Sequence, residues 1–237
     1  MTGYDTAGQI QNVYASAASE FGADPEFWVR YFSPSPAANL FSDDPSSEAL
    51  GAWDSGGAYV SCICAPDQSR LSGSSAEGQA DAQSMASSIQ SSLSAVSQLS
   101  VPSQLWCWLD QEASTSLSLD YWNGWASYIA SYNLDSNGTY PMHPGLYCDP
   151  ASAYPNCSTI SQASGTAAPV AVWSSEPEPC SGFTAPSWNP DSCSSVATKL
   201  WQYGEQGACG YSADVDLDTG VPGAAFSSYC LRVTSAP

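Results

Sequence analysis

The pattern of hydrophobic and polar positions divides the chain into short apolar runs separated by longer segments. Eight of these runs are strand-like, and several of the eight are nearly continuous in apolar residues, as expected of strands that are buried on both faces. They span residues 3–5, 27–32, 58–64, 105–110, 145–148, 170–173, 199–203 and 213–217. The pattern therefore predicts eight strands distributed over the whole chain.

The segments between the runs change character along the chain. Apolar residues recur at helical spacing over residues 10–21, 82–99 and 119–129, and the segment from Pro45 begins like a helix that serines could cap. After Cys148 this periodicity fades and Pro, Ser, Gly and Cys dominate, most clearly over residues 176–195. The order predicts strand–helix units followed by strands joined by loops. Since 237 residues suit one α/β barrel, we expect a single domain over residues 1–237.

The charge balance disfavours two classes of partner. The chain has 23 acidic residues against four basic ones, Arg30, Arg70, Lys199 and Arg232, and its formal net charge is −19. Nucleic acids and anionic membranes both attract basic patches, which four scattered cations cannot form. Because few side chains become positive in acid, we also expect the fold to tolerate mildly acidic surroundings.

Nine cysteines spread along the chain predict an oxidising compartment, and hence a secreted protein held by disulfides. Zinc is disfavoured because Cys62 and Cys64 are separated by one residue instead of two and the chain has a single histidine. The odd count leaves at least one cysteine unpaired, and Cys107, inside an apolar run, is the best candidate for a buried free thiol. Two sequons, at Asn137 and Asn156, are compatible with a secretory route.

Four acidic residues stand where a parallel barrel carries its catalytic groups, at the C-terminal ends of strands. They are Asp5, Asp110, Glu112 and Asp216. Asp110 and Glu112 are two apart and would share one side of a strand, where like charges are costly without a purpose. Glycosidic cleavage needs one protonated carboxyl and a second, ionised one, so the set predicts a glycoside hydrolase. The alternative is that these acids cap strands and fill loops of a very acidic protein.

Short motifs at the predicted strand ends carry a family resemblance. They are Asp110-Gln111-Glu112, Leu200-Trp201-Gln202-Tyr203 followed by Asp214-Val215-Asp216-Leu217-Asp218, Gly3-Tyr4-Asp5, Gly145-Leu146-Tyr147 and Ala171-Val172-Trp173. The chain resembles family 25 glycoside hydrolases, the lysozyme-like muramidases, and a related group of secreted glycoside hydrolase-like barrels. The resemblance spans nearly the whole chain, and the first two motifs are its specific part. It implies an α/β fold, an irregular TIM-like barrel of about five strand–helix units followed by three strands.

The resemblance also implies roles for individual residues. Glu112 would be the general acid, Asp110 would orient it or stabilise charge beside it, and Asp5 and Asp216 would complete an acidic floor. The residues implied to line the sugar-binding groove are Tyr147, Trp173, Trp201 and Tyr203, although core packing is an equally good interpretation of Trp201.

The enzyme that these roles describe would hydrolyse a β-linked amino-sugar polysaccharide, foremost peptidoglycan. We expect it to act as a monomer without a metal or cofactor. As general acid, Glu112 should be partly buried against aromatic residues and should face one cleft together with Asp216.

Two departures keep other functions open. The first strand continues as Thr6-Ala7-Gly8-Gln9, without the serine that is common in the muramidases, and the net charge of −19 would repel anionic bacterial walls. One alternative is a catalytically silent barrel that binds glycan through its aromatic groove. Another is a wall or coat protein stapled by disulfides.

Overall fold

The computed structural model describes residues 1–33, 38–112, 115–135, 140–151, 156–169, 171–175, 183–193, 196–222 and 226–237. Its strands are β1 (Thr2–Asp5), β2 (Phe27–Tyr31), β3 (Tyr59–Cys64), β4 (Leu99–Ser100), β5 (Leu105–Asp110), β6 (Met142–Cys148), β7 (Ala171–Ser175), β8 (Thr198–Gly204), β9 (Asp216–Gly220) and β10 (Leu231–Val233). Its helices are α1 (Ile10–Phe21), α2 (Pro45–Asp54), α3 (Ser75–Ala95), α4 (Leu119–Ser131), α5 (Asn156–Ser161) and α6 (Gln206–Cys209).

Eight strands close into a barrel in the order β1, β2, β3, β5, β6, β7, β8 and β9, and β9 pairs back with β1. The first seven run parallel, whereas β9 is antiparallel to both of its neighbours. β10 pairs with the beginning of β3 and with β4, which extends the sheet beyond the ring. The α/β class and the irregular TIM-like barrel predicted from the sequence are confirmed.

Helices follow the first strands and shrink later, as the sequence pattern predicts. α1 to α4 have 10 to 21 residues, whereas α5 has six and α6 has four. The cap of α2 is Asp44 and not a serine, because the helix begins at Pro45 and the serines fall inside its first turn. Asp44 Oδ1 accepts the Ser47 backbone N–H at 3.3 Å. The helical pattern predicted over residues 82–99 belongs to α3, which ends at Ala95.

Two glycines let α3 and α4 approach each other closely. A Cβ atom on Gly78 would lie 2.1 Å from the carbonyl oxygen of Tyr121, and one on Gly124 would lie 2.0 Å from that of Ser75. No side chain fits at either position, so the two helix backbones pack directly on each other. This contact fixes the helix layer outside β3 and β5.

Strand alternation separates an inner and an outer apolar core. In β2, Phe27 and Val29 point into the barrel, where they join an inner cluster with Trp108 and Trp173. Trp28 points outward and donates to Ser55 Oγ, next to the end of α2, at 2.8 Å. The inner core fills the barrel below its mouth, as expected of a packed barrel and not a pore.

The last barrel strand is displaced from its predicted position. The apolar pattern predicted it at residues 213–217, whereas β9 begins at Asp216. Ala213 and Val215 are buried in the outer core as part of the preceding loop, which made their segment resemble a strand. Pairing of Thr219 with Thr2 and of Asp216 with Asp5 sets the true register.

The cysteines are less cross-linked than the sequence suggested. Cys157 and Cys193 form a disulfide that ties α5 to the segment before β8, and Cys209 is also disulfide-bonded. Cys107 is a buried free thiol, as predicted. Four more cysteines of the described residues are also free and buried, namely Cys62, Cys64, Cys148 and Cys230. Cys180 lies outside the described residues.

The sequon at Asn156 is unsuited to carrying a glycan in the folded protein. Asn156 is 1% exposed, and its Nδ2 atom donates to Gln111 Oε1. That nitrogen would have to leave the bond and reach solvent to be modified. The sequon at Asn137 lies outside the described residues.

No helix within the described ranges combines the length and apolar character that crossing a membrane requires.

Arg30 of β2 and Glu48 of α2 form an ion pair that is fully buried on the outer side of the barrel. Arg30 Nε donates to Glu48 Oε2 at 3.0 Å, and the guanidinium also donates to the carbonyl oxygens of Thr6 and Asn39. Glu48 Oε2 lies 3.5 Å from the Ile10 backbone N–H that it accepts. The pair thus fastens the loops after β1 and β2 to the starts of α1 and α2.

Removing one member of this pair leaves the other as an uncompensated buried charge. We expect Glu48→Gln to lower the free energy of unfolding by about 3–5 kcal/mol, measured by urea denaturation. The matched control is Arg70→Gln, which breaks an ion pair whose arginine is 40% exposed and should cost about 1 kcal/mol or less. Equal losses in the two variants would contradict the fastening role of the buried pair.

Candidate active site

Inward-facing side chains meet at the rim where the parallel strands end. β1 ends at Asp5 and β9 begins at Asp216, and the two residues are direct partners across the strands. Because β9 is antiparallel, its first residue lies at the same rim as the last residues of its neighbours. Asp216 therefore reaches the predicted rim from the start of a strand, and not from near a strand end. Asp110 joins them from the end of β5, where its partner in β6 is Tyr147.

Asp5 and Asp110 are buried carboxyls, only 5% and 6% exposed. The Oδ1 atom of each has no hydrogen-bond partner among the described residues. Burial, followed by the charge of Asp216, raises the pKa of Asp5 well above its usual value, although Arg30 opposes the shift. Burial, followed by the charges of Glu112 and Asp5, raises the pKa of Asp110 well above its usual value. Both carboxyls are therefore poised to share protons with their neighbours.

Glu112 lies just beyond β5 and not on it, so the prediction that strand alternation aligns it with Asp110 is wrong. Its side chain is exposed to solvent although surrounding protein also desolvates it, and burial against aromatic residues stays a prediction. The backbone around it is held firmly. Gln68 Oε1 accepts the Glu112 N–H at 2.9 Å, while Gln68 Nε2 donates to the Asp110 carbonyl at 3.2 Å. Desolvation by the surrounding protein is the main cause that raises the pKa of Glu112, and the charge of Glu205 adds to it.

Asp216 is half-buried and has two donors from β8 and the loop after it. Its Oδ1 accepts the Gln206 backbone N–H at 2.6 Å, and its Oδ2 accepts Gln202 Nε2 at 3.3 Å. Burial raises its pKa to about 6 even though the bond from Gln206 lowers it, and the nearby charges of Glu205 and Glu112 add to the rise. Asp216 thus changes its charge within the mildly acidic range.

Two tyrosines lie within electrostatic reach of the carboxyls. Burial and the charges of Asp5 and Asp110 raise the pKa of Tyr31. Burial and the charge of Asp110 likewise raise the pKa of Tyr147, whose hydroxyl donates to Gln202 Oε1 at 2.9 Å. Both phenols stay neutral and present hydroxyls to the mouth. Asp5, Asp110 and Asp216 lie at one rim, and each of them is within electrostatic reach of Glu112.

The aromatic residues expected to line the groove are divided by the structure. Tyr147 is half-buried at the mouth. Trp173 is fully buried beneath it, with ring centroids 4.5 Å apart, and donates to Asp218 Oδ1 at 2.9 Å. Trp201 and Tyr203 belong to the outer core, so the prediction that they line the groove is wrong. The physical reason is alternation: in β8 the inward positions are Leu200 and Gln202.

Sequence reasoning missed several residues of the site. Tyr31 and Gln202 follow from alternation once the inward face of each strand is known, and Asp218 lies one layer below Asp216 on β9. Gln68 begins a short 3-10 helix after β3 and Glu205 caps the start of α6, and elements this short have no periodicity that reports the direction of a side chain. Among the described residues no cluster of three or more side chains is arranged to hold a metal ion.

Comparison with known proteins identifies a shared fold. No protein-family model and no curated protein sequence matches the chain. The crystal structure of an uncharacterised B. stearothermophilus protein is similar with a TM-score of 0.73 and 20% identity, over 97% of this chain and 99% of that one. The Clostridium perfringens spore cortex lytic enzyme SleM is similar with a TM-score of 0.56 and 14% identity, over 95% of this chain and 68% of that one. The chain therefore shares its barrel fold with these two proteins, while membership of family 25 stays a prediction.

The raised carboxyl pKa values make the fold more stable in acid than at neutral pH. Asp5, Asp110 and Asp216 bind protons more tightly when folded than when unfolded, so their contribution is present below about pH 4 and is lost as pH rises through the folded values, which for Asp216 is about 6. We expect the melting temperature to be higher at about pH 5 than at about pH 7.5.

Asp110→Asn tests the cause of this pH dependence. An amide cannot ionise, so the variant should be stabilised at about pH 7.5 by about 1 kcal/mol and should show a flatter pH dependence. Asp54→Asn, at the exposed end of α2, is the matched control and should follow the wild type. A wild type that melts at a lower temperature in mild acid would refute the interpretation.

Proposed function

We propose that the protein is a glycoside hydrolase that cleaves a β-linked amino-sugar polysaccharide, with peptidoglycan as the first substrate to test. The observation that carries the proposal is the group of four carboxyls at one barrel mouth, in which Asp110 keeps a buried, unpartnered oxygen next to Glu112. Glycosidases need this combination of a carboxyl that holds its proton and another that meets developing positive charge.

Glu112 has the properties of the general acid. It is accessible to substrate at the rim, its backbone is fixed by Gln68, and its pKa is raised by surrounding protein and by Glu205. A raised pKa keeps the carboxyl protonated in mild acid, so that it can protonate the leaving glycosidic oxygen. Solvent access on one side lets it recover a proton after each turnover.

Asp110 lies beside this acid and stabilises positive charge in its ionised form, so it must release the proton that its raised pKa favours. Its buried Oδ1 has no donor from the described protein, so it is available to an electron-poor sugar ring or to an acetamido group. Asp5 and Asp216 share the remaining protons of the mouth, and Tyr31 and Tyr147 contribute neutral hydroxyls to substrate hydroxyl groups.

The nature of the substrate rests on two further observations. SleM, which shares the fold, is named a spore cortex lytic enzyme, and this supports a peptidoglycan-like polymer. The disulfide between Cys157 and Cys193 supports action outside the cell. The alternative of a silent barrel that binds glycan through aromatic stacking loses support, because Trp173, Trp201 and Tyr203 are all buried.

Glu112→Gln tests the proposal directly. The variant keeps the shape of the side chain but cannot donate a proton, so we expect release of reducing ends from purified peptidoglycan and from chitin at about pH 5 to fall by about 10²–10⁴-fold. Asp54→Asn, an exposed carboxyl at the end of α2 away from the mouth, should retain wild-type activity. Background release by the wild-type protein on every polysaccharide offered would refute the proposal.

The pH profile tests the role of Glu205. Activity should fall as pH rises through the pKa of Glu112, because the acid then lacks its proton. Since the charge of Glu205 helps to raise that pKa, Glu205→Gln should move the alkaline limb of the kcat/KM profile to lower pH. A limb that stays in place would show that another group is the acid.

A further inference from the structure

The barrel mouth gathers acidic groups and has no basic side chain among them. Asp5, Asp110, Glu112 and Asp216 face it, and Glu205 lies within electrostatic reach of the last two. An acidic cluster alone does not define a ligand. Here, however, the Oδ1 atoms of Asp5 and Asp110 are buried at this mouth and have no hydrogen-bond partner among the described residues.

All four basic residues lie within the described ranges, and none of them lines the mouth. Arg30 is sealed behind the barrel wall by Glu48. Arg70 pairs with Asp81 in the helix layer, at 3.0 Å. Lys199 lies near the start of β8 and Arg232 stacks on Tyr59 at the start of β3, both at the opposite rim. Arg30 is the single cation that lowers a carboxyl pKa in the mouth, and it acts only on Asp5.

We propose that the mouth binds a sugar that carries a free, positively charged amino group, so that the preferred substrate is a de-N-acetylated amino-sugar polysaccharide. The inference rests on the proposed glycosidase function and specifies its substrate class. An alkylammonium group has three N–H donors and one positive charge, and the two unpartnered carboxyl oxygens supply acceptors of opposite charge.

Electrostatics separates this substrate from its neutral and anionic relatives. An acetamido group offers one N–H donor and no charge, so it cannot compensate the buried carboxylates. A sugar unit that places a carboxylate at the mouth itself would be repelled. An ammonium group favours the ionised form of the carboxyls next to it, so its binding should release protons that the free protein holds.

The test compares β-1,4-linked glucosamine oligomers with N-acetylglucosamine oligomers of equal length. Binding is measured by calorimetry at about pH 5 on the Glu112→Gln variant, which holds the oligomers without cleaving them. We expect the free-amine oligomer to bind about tenfold more tightly or better, the size of one charge-assisted hydrogen bond. The preference should shrink with added salt, and buffers of different ionisation enthalpy should report proton release.

Wild-type cleavage of the same two oligomers, and of peptidoglycan, completes the experiment. Glu205→Gln should lower the preference for the free amine about threefold, because it removes one charge near the rim. Asp54→Asn should leave the preference unchanged, because it removes a charge far from the mouth.

The outcomes separate this inference from the proposed function. Cleavage with equal or tighter binding of the N-acetylated oligomer overturns the inference and keeps the glycosidase. Tight, proton-releasing binding of the free amine without cleavage of any polymer keeps the binding chemistry and overturns the glycosidase. Failure of the wild-type protein and of Glu112→Gln to bind or cleave either oligomer overturns the inference.

Discussion

Closure of the barrel by a strand that runs against both of its neighbours places Asp216 directly opposite Asp5. Two like charges facing each other across strands destabilise a sheet. The closure is compatible with stability because burial raises both pKa values and the charge of Asp216 adds to the rise for Asp5, so the pair retains protons in mild acid. The acidity of the mouth is thus a consequence of how the ring closes, and the rest of the structure accommodates it.

The surrounding scaffold holds the acids through neutral donors and keeps the cations away. Arg30 lies on the outer side of β2 and ties the loops after β1 and β2 to two helices, so it positions the end of β1 without entering the mouth. On the opposite side of the site, the amide of Gln68 brackets the backbone between Asp110 and Glu112. Geometry is therefore fixed by amides and backbone groups, which leave the carboxyl pKa values high. A lysine in either place would stabilise the fold and would also deprotonate the acid.

Much of the fold could be predicted from local pattern, because buried parallel strands are apolar along their whole length. The errors arose where that relation fails. β9 carries Asp216 and Asp218 on its inward face, so it did not resemble a strand, whereas the loop containing Ala213 and Val215 did. The four acids could be predicted because strand ends face the mouth. Trp201 was misplaced, since an apolar residue on a barrel strand is equally suited to the inner or the outer core until register is known.

The scarcity of basic residues links stability with chemistry. A catalytic acid must hold its proton at working pH, and this condition fails if a fixed cation lies near, because the cation favours the ionised form of the carboxyl. A mouth built in this way is destabilised at neutral pH, as expected where function and stability compete. In the free protein, bound protons relieve the repulsion between these buried carboxyls. A ligand that brings its own positive charge relieves it equally well, and the free energy so gained appears as binding affinity. The protein itself therefore supplies little positive charge to these carboxyls, and bound protons or a cationic ligand supply it instead.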